Sequence, residues 1–412
     1  MLRVLGSRDY RLFWSGSFIA NLGVWMQQIA LGWLVYDLTR RASLLGTVSF
    51  CSNAPILFLG LVGGAIADRA SRRTIMLGTL GVSAATALTL AVLTASGHIA
   101  VWHIIAISMV AGTASALFAP AMQAVIPSLV EPGELLNAIS LNSVQFNLAR
   151  TIGPALAGFA YGTIGPQGCF ALNATGFLVM ILMLARVRLP RRPPGAPPPV
   201  GRALREGLGY ARRHPVIAPS LVLVAVMSVF GFPYIILLPA LARDTLHLDA
   251  TGLGYLMAAV GAGAVTGGLG LSAVGDVPRR DVAAGSSAIA FGLALCAIVL
   301  AHTLRATALL LFVMGVLQTV SVASVNTTIQ TVVHDGMRGR VMSMMTVILF
   351  GFATAGALGI GFVGDRIGVP RALAGGGVII ALVASAVLAC APGGRAQALA
   401  SAPDGCRESG RP

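Results

Sequence analysis

Residues 215–241 read PVIAPSLVLVAVMSVFGFPYIILLPAL and contain no charged side chain. About 20 apolar residues in a row are enough for one α-helix to cross the hydrocarbon core of a bilayer. Similar runs, separated by arginine, proline or glycine, lie near 12–36, 43–67, 74–95, 100–126, 136–162, 167–187, 215–241, 250–274, 282–302, 307–331, 341–364 and 372–391. The pattern predicts an all-α, polytopic membrane protein with twelve transmembrane helices.

The composition of the whole chain supports this interpretation. Of its 412 residues, 56% are hydrophobic and 10% are charged, whereas soluble domains carry about 25% charged residues. A transmembrane β-barrel is excluded, because barrel strands alternate apolar and polar residues and these runs are continuously apolar. The 28 basic residues are all arginine, and all but Arg150 lie between the apolar runs or at their ends. This distribution favours anionic lipid over nucleic acid as a partner.

The arginines also predict how the chain is oriented in the membrane. If the N-terminus is cytoplasmic, 21 arginines lie in inside segments and 6 in outside segments. Cytoplasmic segments are enriched in arginine, so we expect both termini in the cytoplasm. The first apolar run is too long for a cleaved signal peptide, and we expect it to be kept as a helix.

An internal repeat divides the chain in two. The halves align at an offset of 206 to 208 residues, so that Asp68 and Arg72, for example, fall on Asp276 and Arg280. Transporters built from two related halves show repeats of this kind. We predict two pseudo-symmetric six-helix bundles, residues 1–187 and 215–391, joined by a cytoplasmic linker, 188–214, and followed by a disordered cytoplasmic tail, 392–412.

A candidate gate lies at the cytoplasmic end of predicted helix 2, where residues 63–73 read GGAIADRASRR. A carboxylate there can bind the positive N-terminus of a helix in the other half and hold the cytoplasmic side shut. The alternative is that these charges only terminate the helix. We favour the gate, because a glycine four residues before the aspartate indicates close packing. The gating candidates are Gly64, Asp68, Arg69, Arg72 and Arg73, with Asp276 and Arg280 as a degenerate second copy.

Predicted helix 5 carries a second candidate gate and an unusual charge. Gly153, Pro154 and Gly158 would let this helix bend and approach a helix of the other half, unless they are ordinary small-residue packing. Arg150 is the only charge near the middle of a predicted helix, and it shares a face with Asn147. A charge at that depth faces the protein interior or a wet cavity. Arg150 would bind an acceptor-rich substrate group or a proton-linked carboxylate, or else bond helix carbonyls in a structural role.

Predicted helix 1 presents Asn21, Trp25 and Gln28 on one face. An indole and two amides on one stripe suit the wall of a cavity for an amphipathic ligand, or polar contacts between helices. Asp37, near the outer end of the same helix, is the proton-coupling candidate, with a role as interfacial anchor as its alternative.

Two of these strings resemble signatures of the major facilitator superfamily. Residues 63–73 resemble the G-x-x-x-D-R-x-G-R-R/K loop, with Ser71 in place of a glycine, and residues 153–158 resemble the exporter signature G-P-x-x-G-G, with Ala157 in place of a glycine. Residues 9–39 and 119–158 resemble the bacterial subgroup that contains the enterobactin exporter and related drug-efflux proteins. The resemblance implies a cavity lined by helices 1, 4, 7 and 10, which adds Phe118, Gln123, Tyr234, Asn326 and Gln330 as substrate-binding candidates. Ser115, Phe232 and Gln318 are expected to line the same cavity.

The resemblance further implies a secondary transporter of the bacterial inner membrane that exports a small amphipathic molecule by alternating access, drawing on protons. An importer of the same fold and a non-transporting membrane receptor or scaffold are the alternatives. The chain has no nucleotide-binding G-x-x-x-x-G-K-[ST] string, and its histidines are scattered singly. We therefore expect no enzymatic activity, cofactor or metal, and we expect a monomer.

Overall fold

The computed structural model describes residues 2–69, 71–188, 208–275 and 279–390. These ranges are almost entirely helical and contain no β-strand, so the all-α prediction is confirmed. The helices are α1 (Arg8–Thr39), α2 (Ala42–Arg69), α3 (Arg72–Ala95), α4 (Val101–Val125), α5 (Leu135–Arg186), α6 (Ile217–Val226), α7 (Pro233–Ala240), α8 (Ala250–Val274), α9 (Arg280–Ala297), α10 (Leu304–Val332), α11 (Asp335–Val347), α12 (Ala353–Ile367) and α13 (Val369–Cys390). Most of the predicted linker and all of the predicted tail lie outside the described residues.

Several helices are continuous across irregular turns. A wide helical turn at Met227–Gly231 joins α6 to α7, a second at Leu241–Thr245 extends α7, and a third at Ile348–Phe352 joins α11 to α12. α5 is broken at Gly165, whose φ of 70° is open to glycine at little cost. The sequence predicted a short loop here between two helices, and the structure reduces it to this single break.

Nine helices in the described part of the chain are long and apolar enough to cross a membrane. They confirm the prediction of a multi-pass membrane protein. We refer below to α1–α5 as the N-terminal helices and to α6–α13 as the C-terminal helices.

Four helices begin with a capping side chain from their own segment, including His334 at the start of α11. Ser7 accepts a hydrogen bond from the first turn of α1, Asp249 does so for α8, and Thr303 for α10. α2 differs, because it begins directly after Arg41, a residue whose side chain carries donors only. The free N–H groups of α2 therefore need an acceptor from elsewhere in the fold.

The N-terminal and C-terminal helices meet along two crossings. α2 packs against α12, and α5 packs against α8. Within the N-terminal helices, α1 and α3 lie against α5 and α2 lies against α4. Within the C-terminal helices, α9 lies against α10 and α13, and α8 lies against α10.

The apolar core is divided unequally between the two ends of the molecule. The larger cluster contains C-terminal helix residues together with N-terminal helix residues from around the α1–α2 turn, such as Trp33 and Leu45. The smaller cluster contains only residues up to 187, such as Phe13 and Met76, from the ends of the N-terminal helices around the α2–α3 turn. The apolar core thus joins the two sets of helices at the α1–α2 end, whereas at the α2–α3 end no cluster of the described side chains, which do not include those of residues 56–70, joins them.

Candidate functional site

Arg150 lies half-buried in α5, close enough to the fully buried Tyr234 of α7 for its charge to act on the phenol. The Tyr234 hydroxyl donates a hydrogen bond to Oε1 of Gln318 in α10, at 3.3 Å. Within the described residues, Arg150 makes no hydrogen bond or ion pair, and the buried Gln318 Nε2 has no partner. The structure therefore brings together three residues named from the sequence, because Gln318 was among the residues expected to line the cavity.

The hydrogen-bond donors of Arg150 and of the Gln318 amide have no acceptor among the described residues. A guanidinium has five N–H donors, and an amide NH₂ has two. A buried donor left without an acceptor costs roughly 1–3 kcal/mol, and more when it is charged. Because Arg150 belongs to an N-terminal helix and Gln318 to a C-terminal one, an acceptor-rich molecule that binds both would bridge the two sets of helices.

The polar stripe of α1 lies next to α5. Trp25 is half-buried and packs edge-to-face on Phe146, with 6.0 Å between ring centroids. A Cβ added to Gly153 would lie 2.6 Å from Cβ of Trp25, so this glycine allows close contact between α1 and α5. Asn21 is half-buried and Gln28 is exposed. The expectation that Gly153 faces the other half was therefore wrong, because its neighbour is an N-terminal helix.

Pro154 and Gly158 do lie on the crossing between α5 and α8. A Cβ added to Gly158 would lie 3.0 Å from Cα of Gly254, and one added to Gly254 would lie 3.2 Å from the Pro154 carbonyl oxygen. The Thr251 hydroxyl donates to the Gly158 carbonyl at 3.4 Å. Two glycines face one another here, so the helix backbones touch directly.

We expect Gly158→Leu to force α5 and α8 apart, because the added side chain meets backbone atoms that cannot rotate away. Overpacking costs about 1–3 kcal/mol at ordinary core sites, and a backbone neighbour puts this site at the upper end. Transport of a fluorescent substrate by membrane vesicles should fall at least ~10-fold.

Gly270→Leu is the matched control for this variant, because a Cβ at Gly270 of α8 meets open space. It should leave transport unchanged. Normal transport by Gly158→Leu at equal membrane levels would show that this crossing need not be tight.

The α2–α12 crossing supplies the missing cap of α2. The Asp365 carboxylate, near the C-terminal end of α12, accepts from the Ala42 N–H at 2.6 Å and from the Ser43 N–H at 3.3 Å. Carboxylates at a helix N-terminus are favoured both as hydrogen-bond acceptors and by the helix dipole. A Cβ added to Gly361 would lie 2.7 Å from the Ala42 carbonyl oxygen, so this glycine permits the approach.

Sequence reasoning missed Asp365, although a signal was available. Gly361-x-x-x-Asp365-Arg366 repeats the spacing of Gly64-x-x-x-Asp68-Arg69. We had placed the end of this helix at residue 364, whereas α12 continues to Ile367. Asp365 is therefore part of the helix and not of the following loop.

Charged side chains add a second connection at the α1–α2 end. Asp37 pairs with Arg243 at 3.0 Å and with Arg40 at 3.5 Å. The Tyr36 hydroxyl donates to Asp244, which also lies 4.0 Å from Arg40. Exposed pairs of this kind contribute little one by one, but together they link α1 to the turn that follows α7. The proton-coupling candidate Asp37 is thus an exposed member of a network between two sets of helices.

The other substrate-binding candidates do not form one cluster. Phe118 packs on the smaller apolar core. Asn147 is exposed and donates to the Ser143 carbonyl within its own helix. Gln330 donates to Asn326 at 2.9 Å, also within one helix. Gln123 is exposed, and the structure links none of these to Arg150.

The candidate gate at the α2–α3 end is only partly described. Gly64, Asp68 and Arg69 lie in α2, but their side chains are outside the described residues, as is Asp276 altogether. Arg73 donates to the Ala185 carbonyl at the end of α5. Arg72 and Arg280 are the first residues of α3 and α9, where they begin the helices that follow the two candidate loops.

Comparison with known families gives one match along nearly the whole chain. A family described as "Transmembrane secretion effector", from the major facilitator superfamily, matches residues 3–403.

Three curated proteins are similar to parts of the chain. The staphyloferrin A transporter of Staphylococcus aureus is 30% identical over 61% of this chain and 64% of its own length, slightly less than two thirds. The macrolide efflux protein A of Streptococcus pyogenes is 23% identical over 68% of this chain and 70% of its own. The multidrug efflux pump Tap of Mycobacterium tuberculosis is 27% identical over 84% of this chain and 83% of its own.

Solved structures share the fold. A bacterial homologue of the human lysosomal transporter Spinster, in an inward-facing and unoccupied conformation, superposes with a TM-score of 0.75 at 13% identity, covering 93% of this chain and 97% of that one. The nucleoside transporter NupG superposes with a TM-score of 0.72 at 13% identity, covering 92% and 98%. At these identities the likeness shows the fold alone.

Proposed function

Since the chain belongs to the transmembrane secretion effector family of the major facilitator superfamily, we propose that it exports a small amphipathic molecule from bacterial cells, driven by the proton gradient. The superfamily consists of secondary transporters and not of enzymes. The predictions that this chain is a transporter and that it has no enzymatic activity are therefore confirmed. Export is supported by relatives named as efflux proteins. The inner membrane is the expected location, with both termini in the cytoplasm.

Twelve spans in two six-helix bundles remain our proposal for the architecture. Nine candidate spans lie in the described ranges. If α5 is counted as two spans divided at Gly165, the number rises to ten. α2 would be the eleventh span, and the continuous rod from α11 through α12 would be the twelfth. The bundles would then be residues 1–187 and 215–391, with the linker 188–214 between them and the tail 392–412 after them.

The observation that carries the proposed binding site is the unpaired charge of Arg150 beside Tyr234 and Gln318. An anionic or acceptor-rich group on the substrate would take the free donors of both helices. The α1 stripe would contact the remainder of the substrate, which suits an amphipathic molecule, because Trp25 offers an apolar ring and Asn21 and Gln28 offer amides.

Alternating access would require a gate at each end of the molecule. We assign the α1–α2 end to the outside, where Asp365 and the Asp37 network hold the N-terminal and C-terminal helices together. We assign the α2–α3 end to the cytoplasm, where Asp68 would play the part that Asp365 plays outside. Because α2 and α12 run in opposite directions across this crossing, each would carry a Gly-x-x-x-Asp-Arg string at its own C-terminal end. The described state is, on this assignment, closed to the outside.

The proposed function is tested by the retention of an amphipathic fluorescent dye in cells that lack their own efflux pumps. We expect less dye in cells that make this protein, and we expect a protonophore to restore retention. Retention that stays low after the protonophore would remove proton coupling. Greater uptake in cells with the protein would identify an importer, and no flux together with a co-purifying partner would identify a receptor or scaffold.

A further inference from the structure

A groove of about 660 Å³ lies between α12, α13 and the wide turn at Met227–Gly231. Its volume is within the range of small-molecule binding sites. The lining is apolar and includes Phe230, Phe352, Val363 and Ile379. None of the three residues of the Arg150 cluster lines it, so the groove is separate from the proposed transport site.

Glycines create the groove. Gly359 of α12 and Gly375 of α13 line it, and a Cβ at either position would meet open space. Gly356, by contrast, faces the backbone of Val229 so closely that no side chain fits. α12 therefore contacts the turn at Gly356, whereas the surface beside this contact, at Gly359 and Gly375, carries no side chain. A long, unbranched apolar chain fits a cleft of this shape.

The groove lies on the exposed surface of the helices and is longer than the hydrocarbon of one lipid leaflet. Phe352, Val363 and Ile379 are each 38–47% exposed, as expected for side chains in contact with lipid. Lining residues run from Phe352 to Ile367 along the helix, which is about 22 Å at 1.5 Å per residue. Half of a ~30 Å hydrocarbon core is about 15 Å, so one acyl chain can lie in the groove along its full depth.

The positively charged side chain of Arg371 lies at one end of this apolar groove. Arg371 lines it at the start of α13 and is exposed. One guanidinium nitrogen donates to the Ile367 carbonyl at 3.4 Å, and in the described ranges no carboxylate pairs with the side chain. The remaining donors are free for a phosphate, which a guanidinium binds in two-pronged fashion. A nearby ammonium group would be repelled by the same charge.

We propose that this groove binds one anionic phospholipid, with an acyl chain against Gly359 and Gly375 and its phosphate on Arg371. The bound lipid would support α12, the helix that carries Gly361 and Asp365 into contact with α2. The proposal does not depend on the direction or substrate of transport.

Native mass spectrometry of the purified full-length protein tests this proposal, with phosphatidylglycerol and phosphatidylcholine added separately. We expect one molecule of phosphatidylglycerol to be retained, and phosphatidylcholine to bind at least ~10-fold more weakly. Gly359→Leu with Gly375→Leu should abolish retention by filling the groove. Arg371→Gln should remove the preference for the anionic lipid while leaving the groove intact.

Two matched controls accompany these variants. Gly270→Leu adds the same side chain at an exposed glycine of α8 that has open space around it. Arg305→Gln removes an exposed arginine of α10. Both should retain phosphatidylglycerol as the unsubstituted protein does. Equal retention of both lipids, or unchanged retention in the groove variants, would overturn the proposal, as would the absence of any retained lipid.

A thermal measurement keeps the test independent of the double glycine variant, should that variant fail to fold. Phosphatidylglycerol should raise the melting temperature of the unsubstituted protein and of Arg305→Gln, because a ligand that binds only the folded state stabilises it. It should not raise that of Arg371→Gln. An equal rise in both arginine variants would contradict the assignment of Arg371.

Discussion

Arg150→Ala is expected to weaken substrate binding strongly while leaving the protein folded. Arg150 is half-buried and makes no hydrogen bond or ion pair with the described residues, so its removal breaks no polar contact in those parts of the fold. Hydrogen bonds to charged groups contribute about 1.5–3 kcal/mol, which corresponds to a ~10- to 150-fold loss of substrate affinity. Export of a fluorescent dye by membrane vesicles, measured against dye concentration, should show this loss as a raised KM.

Arg150→Lys keeps the charge but not the planar fork, so it should recover only part of the affinity. Arg305→Ala is the matched control, because it removes an exposed arginine far along the chain at the start of α10. The melting temperature separates the two roles considered for Arg150. A structural arginine would lower the melting temperature when replaced, whereas a binding arginine would lower only export. Normal KM and normal export in Arg150→Ala would remove it from the binding site.

Asp365→Ala is expected to open the α1–α2 end. The substitution removes the acceptor for the Ala42 and Ser43 N–H groups, and loss of a helix cap costs about 0.5–2 kcal/mol. Because this cap exists only while α2 and α12 are in contact, its loss shifts the balance between closed and open states. A cost of 1.4 kcal/mol would increase the open population ~10-fold relative to the closed one.

Cysteine labelling from the outside measures this opening. In a protein whose native cysteines have been replaced, Ser43→Cys reports on the crossing of α2 and α12, and Ala250→Cys reports on the crossing of α5 and α8. Both positions are buried, at 6% and 5% exposure. We expect a membrane-impermeant maleimide to label both sites about ten times faster when Asp365 is alanine.

The two reporters distinguish a local change from a general one. Faster labelling of Ser43→Cys alone would mean that only the start of α2 frays, and the gate would not include Asp365. Arg366→Ala is the matched control, because it removes the neighbouring exposed charge and should not change either rate. Asp365→Asn keeps one acceptor oxygen without the charge, and its rates should lie between those of aspartate and alanine.

Much of this protein could be predicted from individual segments of sequence. The apolar runs predicted a multi-pass helical protein, because each segment that crosses the hydrocarbon must satisfy its own backbone hydrogen bonds and carry apolar side chains. Residues 63–73 and 153–158 predicted the superfamily, since they carry its spacing of glycine, proline and charge. Arg150 stood out for the same local reason, as a charge within an apolar run.

Contacts between distant segments could not be predicted in this way. Small residues allow close approach to any neighbouring helix, and lipid is as apolar as a helix surface, so hydrophobic pattern does not choose the partner. Gly153 and Gly158 look alike in the sequence, yet one lies against Trp25 of α1 and the other against Gly254 of α8. Gln318 was expected to line the cavity, but only the packing of α7 against α10 shows that it accepts a hydrogen bond from the Tyr234 hydroxyl.

The sequence by itself determined that this chain is a helical transporter of the major facilitator superfamily, because membrane insertion and the family motifs depend on residues close together in the chain. Only the tertiary structure decided, within the described residues, at which end the N-terminal and C-terminal helices are joined and by which side chains. The cap of α2 is the clearest case, since Asp365 lies 323 residues from Ala42. Because α2 begins directly after Arg41, the sequence shows that the first N–H groups of this helix need an acceptor from elsewhere. Only the packing of α12 against α2 shows that the Asp365 carboxylate is that acceptor.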